Sequence, residues 1–352
     1  MVRFTRLLII LLLGILYTSC NKERSPDLIK QITTISPTHG AFATLDTIFG
    51  NGFGTTAAND SVFINGHKAG IVSISNTQLV VTVPKLAGTG IVTVWVGGNQ
   101  LTGPVFTYDT TYAAVTYAGG IVSPYGICID ATSGNLFAAN YADNTVVKVT
   151  TDGTVSHFAD GINLPGGITI DDNGNLFVTN FGNNTISKIT PSAVVTTYIN
   201  NIPNPAGITI DALGNLYVTN FGNSTISTIP LNGSVTTTPT GITYTTGIVR
   251  DHSGNLYLTN TANNSISKIT ASGTISEFAT NVHQPSNIAI DNSGNLFTTD
   301  PVDNTVTKIT PTRNVSIVAT GLNEPGPITI DTNGNIFVGC LSTGTIVKLS
   351  QQ

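Results

Sequence analysis

Apolar positions in the C-terminal two thirds of the chain come in short runs, each cut off by Gly, Asn, Asp or Pro, and the runs recur with a fixed period. Within 166–205, GGITID is a β-branched run and DDNGN a turn. LFVTN (176–180) is a second strand, FGNN a second turn, TISKIT (185–190) an alternating third strand, and 194–199 a fourth. The phrase Asp-x-x-Gly-Asn-(Leu/Ile)-(Phe/Tyr) marks each period at Asp130, Asp171, Asp211, Asp251, Asp291 and Asp331, spaced by 41 residues once and by 40 thereafter. Four short strands in forty residues, six times over, predict a six-bladed β-propeller. A β-solenoid has a shorter period, and a leucine-rich repeat needs a different Leu/Asn spacing.

The last period holds only three strands, at 327–330, 335–340 and 345–350. The segment AAVTYA (113–118), followed by Gly120-Ile121 and Pro124, matches the fourth strand of the next repeat, TVSHFA (154–159), followed by Gly161-Ile162 and Pro165. The N-terminal strand is therefore expected to complete the last blade and remove its open edge. The six repeated Asp residues read as turn caps: a carboxylate bonds the backbone two residues on, and the following Gly supplies φ > 0. The alternating acids and closing Glu of a calcium loop are absent from these phrases.

Residues 32–108 show no trace of the forty-residue period. Short alternating strands at 45–50, 62–66, 79–84, 90–96 and 106–108 suit a small β-sandwich. The opening Ile35-Ser36-Pro37-Thr38-His39-Gly40, the Phe53-Gly54 turn and the closing Phe106-Thr107-Tyr108 resemble the IPT/TIG family of immunoglobulin-like domains. That resemblance implies a spacer or adhesion module. Trp95 reads as a sandwich-core residue, with a binding platform as the alternative. The fold class is thus all-β, an Ig-like β-sandwich followed by a six-bladed β-propeller at 112–350.

Charged residues make up only 9% of the chain, against roughly 25% in an average soluble protein; Thr, Ser, Asn and Gly take their place. The net charge is −5 and no basic cluster follows the first six residues, which argues against nucleic acid as a partner. Residues 1–20 read as a lipoprotein signal peptide: Arg3 and Arg6, an apolar stretch at 7–15, then LYTSC ending on Cys20. The apolar stretch is short for a membrane span. A small residue before Cys resembles a lipobox, although Tyr17 stands where Leu is usual. Cys20 would then carry the lipid anchor, and Asn21 after it favours the outer membrane, on the periplasmic or the cell-surface side. Residues 21–31 form a polar tether. Cys128 and Cys340 fall in the first and last blades and are expected as buried thiols, with a disulfide as the alternative. Neither has a His at ligand spacing, so no metal or cofactor is expected.

The Pro-x-Gly-Ile, Gly-Asn-Leu-(Phe/Tyr)-Val and Asn-(Asn/Ser)-(Thr/Ser)-Ile-Ser-Lys-Ile phrases of the propeller look like the NHL-repeat family. The sequence departs from it at the end of the second strand, where the family's usual Asp is replaced by Asn140, Asn180, Asn220 and Asn260, kept as Asp300 and broken by Cys340. Lys148, Lys188, Lys268, Lys308 and Lys348 recur on third strands and read as solvated strand faces. Arg250, where the other five blades carry Ile, is expected to pair with an Asp of a neighbouring blade or, second, to anchor a ligand.

Function is sought where the repeat breaks, on the face formed by the loops from fourth to next first strand and from second to third strand. The first loop set contributes Tyr125, Tyr244, His283 and Glu324, the second Tyr141, Phe181, Phe221 and Asp300. Rings and amides with little charge suit a glycan, and an envelope protein is the other partner class. The expectation is a non-catalytic envelope lipoprotein with the sandwich as spacer. Gly-Asn-Leu and 273–278 (GTISEF) also look like streptogramin lyase repeats, and related six-bladed propellers include lactonases and amidating lyases. That resemblance implies a metal-assisted enzyme, for which His283, Glu324 and Asp300 are the available set. A purely structural interaction platform is the third reading.

Overall fold

The computed structural model describes residues 29–56, 60–85, 87–109, 111–231 and 234–352. The signal peptide, the lipidation at Cys20 and nearly all of the tether lie outside the described residues. The chain divides after Thr107 into two compact units.

The second unit is built of six four-stranded antiparallel sheets. In the second blade the strands are Pro165–Ile170, Leu176–Asn180, Thr185–Ile189 and Val195–Ile199. The last blade takes Pro325–Ile330, Ile336–Cys340 and Thr345–Gln351 from the end of the chain and Tyr112–Gly119 from upstream. Lys348 lies opposite Val115 and Ile346 opposite Ala118, so the ring is closed by the N-terminal strand. Second strands such as Leu176–Asn180 are buried at every position because a neighbouring blade covers each face. The core accordingly runs between blades: Phe137, Ala139 and Val146 of the first meet Ile168, Leu176 and Val178 of the second.

The repeated residues are all spent on this frame. Asp171 Oδ1 accepts the amides of Asn173 and Asn175 at 3.0 and 2.8 Å, and its Oδ2 accepts Asn175 Nδ2 at 2.8 Å. Asp211, Asp291 and Asp331 repeat this pattern, Asp251 repeats both bonds to Asn175's counterpart, and Asp130 keeps the amide bond two residues on. Burial opposes ionisation of Asp211, but bonds from Asn215, Leu213 and Tyr217 outweigh it and hold the carboxyl below its usual range. At the axis the blades touch through glycine. A Cβ on Gly207 would stand 2.2 Å from Thr246 O, and one on Gly167 2.7 Å from Ala206 O. Thr179 Oγ1 donates to Ala206 O at 2.6 Å and Thr299 Oγ1 to Gly326 O at 2.7 Å, latching blade to blade.

Four of the recurring lysines lie over the ring opposite them, Lys188 at 5.7 Å from the Phe177 centroid and Lys268 at 5.3 Å from Tyr257, with Lys308 and Lys348 alike. Arg250 corrects its expectation. No carboxylate of the described residues is within ion-pair distance; the guanidinium lies 5.7 Å from the ring of Tyr217 in the preceding blade. Cys128 and Cys340 are buried free thiols, and burial raises both pKa values.

The described residues of the first unit form eight strands, including His67–Ile74, which was not expected. In Gly90–Val96 the residues Val92, Val94 and Val96 point inward, so Trp95 faces out and is 41% exposed. It is not a core residue. Asp46 is, by contrast, fully buried with no hydrogen-bond partner for either oxygen. Burial pushes its pKa up to about 6, against the nearby Ser36 and Thr47 amides.

Candidate functional site on the upper propeller face

The loops from fourth to next first strand and from second to third strand gather on one face, termed upper, and one pair of hydrogen bonds builds most of them. Asn144 Oδ1 accepts the amide of Leu164 at 2.6 Å, and Asn184, Asn264 and Asn304 accept those of Asn204, Gln284 and Glu324 at 2.9, 2.9 and 2.8 Å. The two loop sets are then stitched to each other. The amides of Tyr141, Phe181, Phe221 and Leu341 donate to Ser123 O, Leu164 O, Asn204 O and Glu324 O at 2.9–3.1 Å. Two loops escape the first device: at the ring closure Gly344 takes the Asn position, and in the loop leading to Tyr244 a serine does. The carbonyl of that Ser224 takes the Thr240 amide at 2.8 Å, and the Tyr244 amide is left outside the pattern.

All eight residues singled out from the sequence lie in these upper loops or at the strand end beneath them, and they separate into two groups. Blades one to four carry the rings. Tyr125 stacks on Tyr141 with centroids 4.4 Å apart and planes at 25°. Phe181 meets Phe221 edge-on at 6.4 Å, and Phe221 meets Tyr244 at 5.7 Å. Tyr125 and Tyr244 are 45% and 57% exposed. A depression of about 190 Å³ opens among Tyr125, Tyr141, Phe181, Phe221, Pro205 and Thr246. A second, of about 120 Å³, adjoins it at the axial mouth and reaches Ser286, Asn287 and Leu341.

The other group is charged. His283 Nδ1 lies 2.7 Å from Asp300 Oδ2 and 3.0 Å from Asp303 Oδ2. Asp300 is buried, its Oδ1 accepting the amides of Val302 and Asp303 at 2.8 and 2.9 Å. The hydrogen bond to Asp300, reinforced by the charges of Asp300 and Asp303, holds the imidazole above the ordinary histidine range against a smaller opposing effect of burial. Ligand atoms of His283, Asp300 and Asp303 all lie within 4.8 Å of one another. With Nδ1 protonated the trio is an ion-pair cluster; with Nδ1 deprotonated the same three atoms could ligate a divalent ion. Glu324 is exposed in the next upper loop. Burial, then Tyr141 and the Glu324 carboxylate, push the phenol of Tyr125 up.

Sequence reasoning missed three residues here. Asp303 shares its acid with Asp143 against Asn183, Asn223 and Asn263, and Asn287 stands where four blades carry Gly126, Gly167, Gly207 and Gly247. Thr246 lines both depressions at a position that holds Tyr125, Gly166, Ala206, Ser286 and Gly326 in the other blades, so no repeat marks it out. The remaining histidines of this unit lie elsewhere: His157 is on an outer strand beside Asp160 at 2.9 Å, and His252 is in a turn on the lower face.

Fold and site together define a six-bladed propeller with a concave, ring-lined axial face. Residues 105–349 match the virginiamycin B lyase family, and the chain belongs to that family. Residues 31–114 match the IPT/TIG domain. The family match takes up the streptogramin-lyase resemblance rather than the NHL one. No curated protein gives a match. Similar solved structures include a structural genomics protein of unknown function from Bacteroides thetaiotaomicron VPI-5482 (16% identity, 93% of this chain and 99% of that chain covered, TM-score 0.60). Another is an auxiliary nutrient binding protein from the same organism (15%, 93% and 99%, 0.60). A third is a catalytically inactive histidine-to-alanine variant of virginiamycin B lyase from Staphylococcus aureus with quinupristin (21%, 87% and 99%, 0.53). At such identities the likeness concerns the fold alone.

Proposed function

We propose that this chain is a non-catalytic binding protein of the cell envelope, anchored by a lipid on Cys20, with the IPT/TIG domain as spacer and the upper propeller face as the ligand site. The observation that carries the reading is the set of Tyr125, Tyr141, Phe181 and Phe221 around an open depression, with Tyr244 against Phe221 beside it. Rings held by stitched loops offer flat apolar area with little ordering loss on binding, the chemistry that suits sugar faces. The description of a similar structure as an auxiliary nutrient binding protein agrees with it. A glycan is the favoured ligand class. The mature chain on a glycan array is expected to retain defined glycans, and Phe221→Ala to lose them with its melting temperature little changed. An array on which the folded chain retains nothing overturns the glycan class.

Family membership keeps an enzyme as the second reading, and His283 is the residue that favours it. Its Nδ1 is fixed by Asp300, which leaves Nε2 as the nitrogen able to trade a proton. Turnover of a streptogramin or a lactone that vanishes in His283→Ala would replace the binding reading.

A further inference from the structure

The rings do not explain the charges around them. In the propeller Lys148, Lys188, Lys268, Lys308, Lys348, Arg250 and Arg313 all stand in strands or lower turns, and no Lys or Arg occurs in the upper loops. Those loops carry Asp143, Asp160, Asp303 and Glu324, with Asp300 at the strand end beneath them and Asp160 paired to His157 on the outer strand. The one upper-face cation close to an acid, His283, is already shared between Asp300 and Asp303. Glu324 has no ion-pair partner among the described residues. It directly precedes the strand Pro325–Ile330, whose Gly326 and Pro327 line the axial depression together with Tyr125. Its main chain is fixed on both sides, the amide by Asn304 and the carbonyl by Leu341. Tyr125 and Tyr141 present stacked faces, and neither phenol hydroxyl finds a hydrogen-bond partner among the described residues. Rings that only sealed the loops would not need an unpaired carboxylate beside them. Open aromatic faces next to a free acid attract an organic cation and repel an anion.

We infer that Tyr125, Tyr141 and Glu324 form a subsite for an ammonium group, primary or quaternary, carried by the ligand that the aromatic arc holds. This rests on the reading of the upper face as a ligand site, and it narrows the ligand to an amine-bearing molecule such as an amino-sugar oligomer. Uronic or sulfated glycans are excluded by the same charges.

The mature chain is titrated by calorimetry at about pH 6, where carboxylates are ionised and sugar amines are protonated. The probes are a glucosamine hexamer, its N-acetylated counterpart and choline. The glucosamine hexamer is expected to bind about tenfold more tightly than the acetylated one, and added salt to narrow the gap. Glu324→Gln, at an exposed position, is expected to weaken the cationic hexamer about fivefold and leave the acetylated one unchanged. Tyr125→Ala serves as a second variant, with melting curves confirming that both variants fold. Equal or tighter binding of the acetylated hexamer overturns the ammonium subsite while the glycan reading stands. Binding of choline alone, weakened by Glu324→Gln, supports the subsite and removes the glycan reading. Silence with all three probes overturns both.

Discussion

The lower turns and the upper loops of the propeller use the same economy of repeated residues to opposite ends. Below, one Asp per blade closes a turn, and the Gly after it takes the left-handed conformation, as at Gly174 and Gly214 with φ of 77° and 83°. Above, each blade is entered through another left-handed residue, and here the side chain changes every time: Ser123, Leu164, Asn204, Tyr244, Gln284 and Glu324, with φ between 35° and 52°. Folding alone would favour Gly or Asn at such a position. A backbone held constant while a non-glycine side chain is varied, at about 1 kcal/mol of strain each, displays residues. The comparison teaches that below the repeat holds the ring together, and above it holds out whatever the blade is given to hold.

If that division is right, substitutions at repeated positions damage folding and those at displayed positions damage binding alone. The largest effect is expected at the axis. Gly207→Ala places a Cβ 2.2 Å from Thr246 O, a backbone atom that cannot yield without parting two blades. A loss of about 3 kcal/mol or more is expected in thermal or denaturant unfolding. A loss under about 1 kcal/mol would show that the inner strands separate freely, and the frame would not be one.

A lower turn comes next. Asp211→Ala strips a partner from the amides of Leu213 and Asn215, from Asn215 Nδ2 and from the Tyr217 hydroxyl. About 2 kcal/mol of stability should go with it. Because the folded carboxyl sits below its unfolded value, its contribution is present above about pH 4 and is lost as pH falls through the folded value. The variant should therefore lose less stability on acidification than the parent. An unchanged acid limb would mean that the turn does not depend on this carboxylate. Asp46 in the sandwich titrates in the other sense: raised by burial to about 6, it favours the folded state in acid and loses that contribution as pH climbs from about 4 to about 6.

Much of this division was legible in the residues themselves. The Asp-x-x-Gly-Asn phrase gave blade number and turn chemistry because both follow from backbone geometry that a short segment sets for itself, while ring closure came from the match of 113–118 to the fourth strand of the next repeat. The displayed residues were visible as interruptions of the repeat. What escaped depended on parity or on a neighbour. The alternation of Val92, Val94 and Val96 already sends Trp95 outward, and its size was wrongly given more weight than its position. Arg250 looked like half of an ion pair because no local signal reports that Tyr217, from the blade before, lies beneath the guanidinium. Asp303 hid inside a loop where three blades carry Asn, and its role needs His283 brought in from twenty residues upstream.

The smallest expected effect on stability is also the sharpest test of display. Tyr244 is left-handed with φ of 52°, is 57% exposed and sits in one of the two upper loops whose entering amide lacks the Asn bond. Its ring touches Phe221 at 5.7 Å and buries little else. In Tyr244→Gly the relief of left-handed strain offsets both the lost contact and the greater freedom of glycine in the unfolded chain. Unfolding free energy should stay within about 1 kcal/mol of the parent. Ligand affinity should fall, since Tyr244 backs Phe221, whose ring lines the depression. A variant that melts several kcal/mol early with affinity intact would place Tyr244 in the frame, and the upper loops would differ from the lower turns in sequence only.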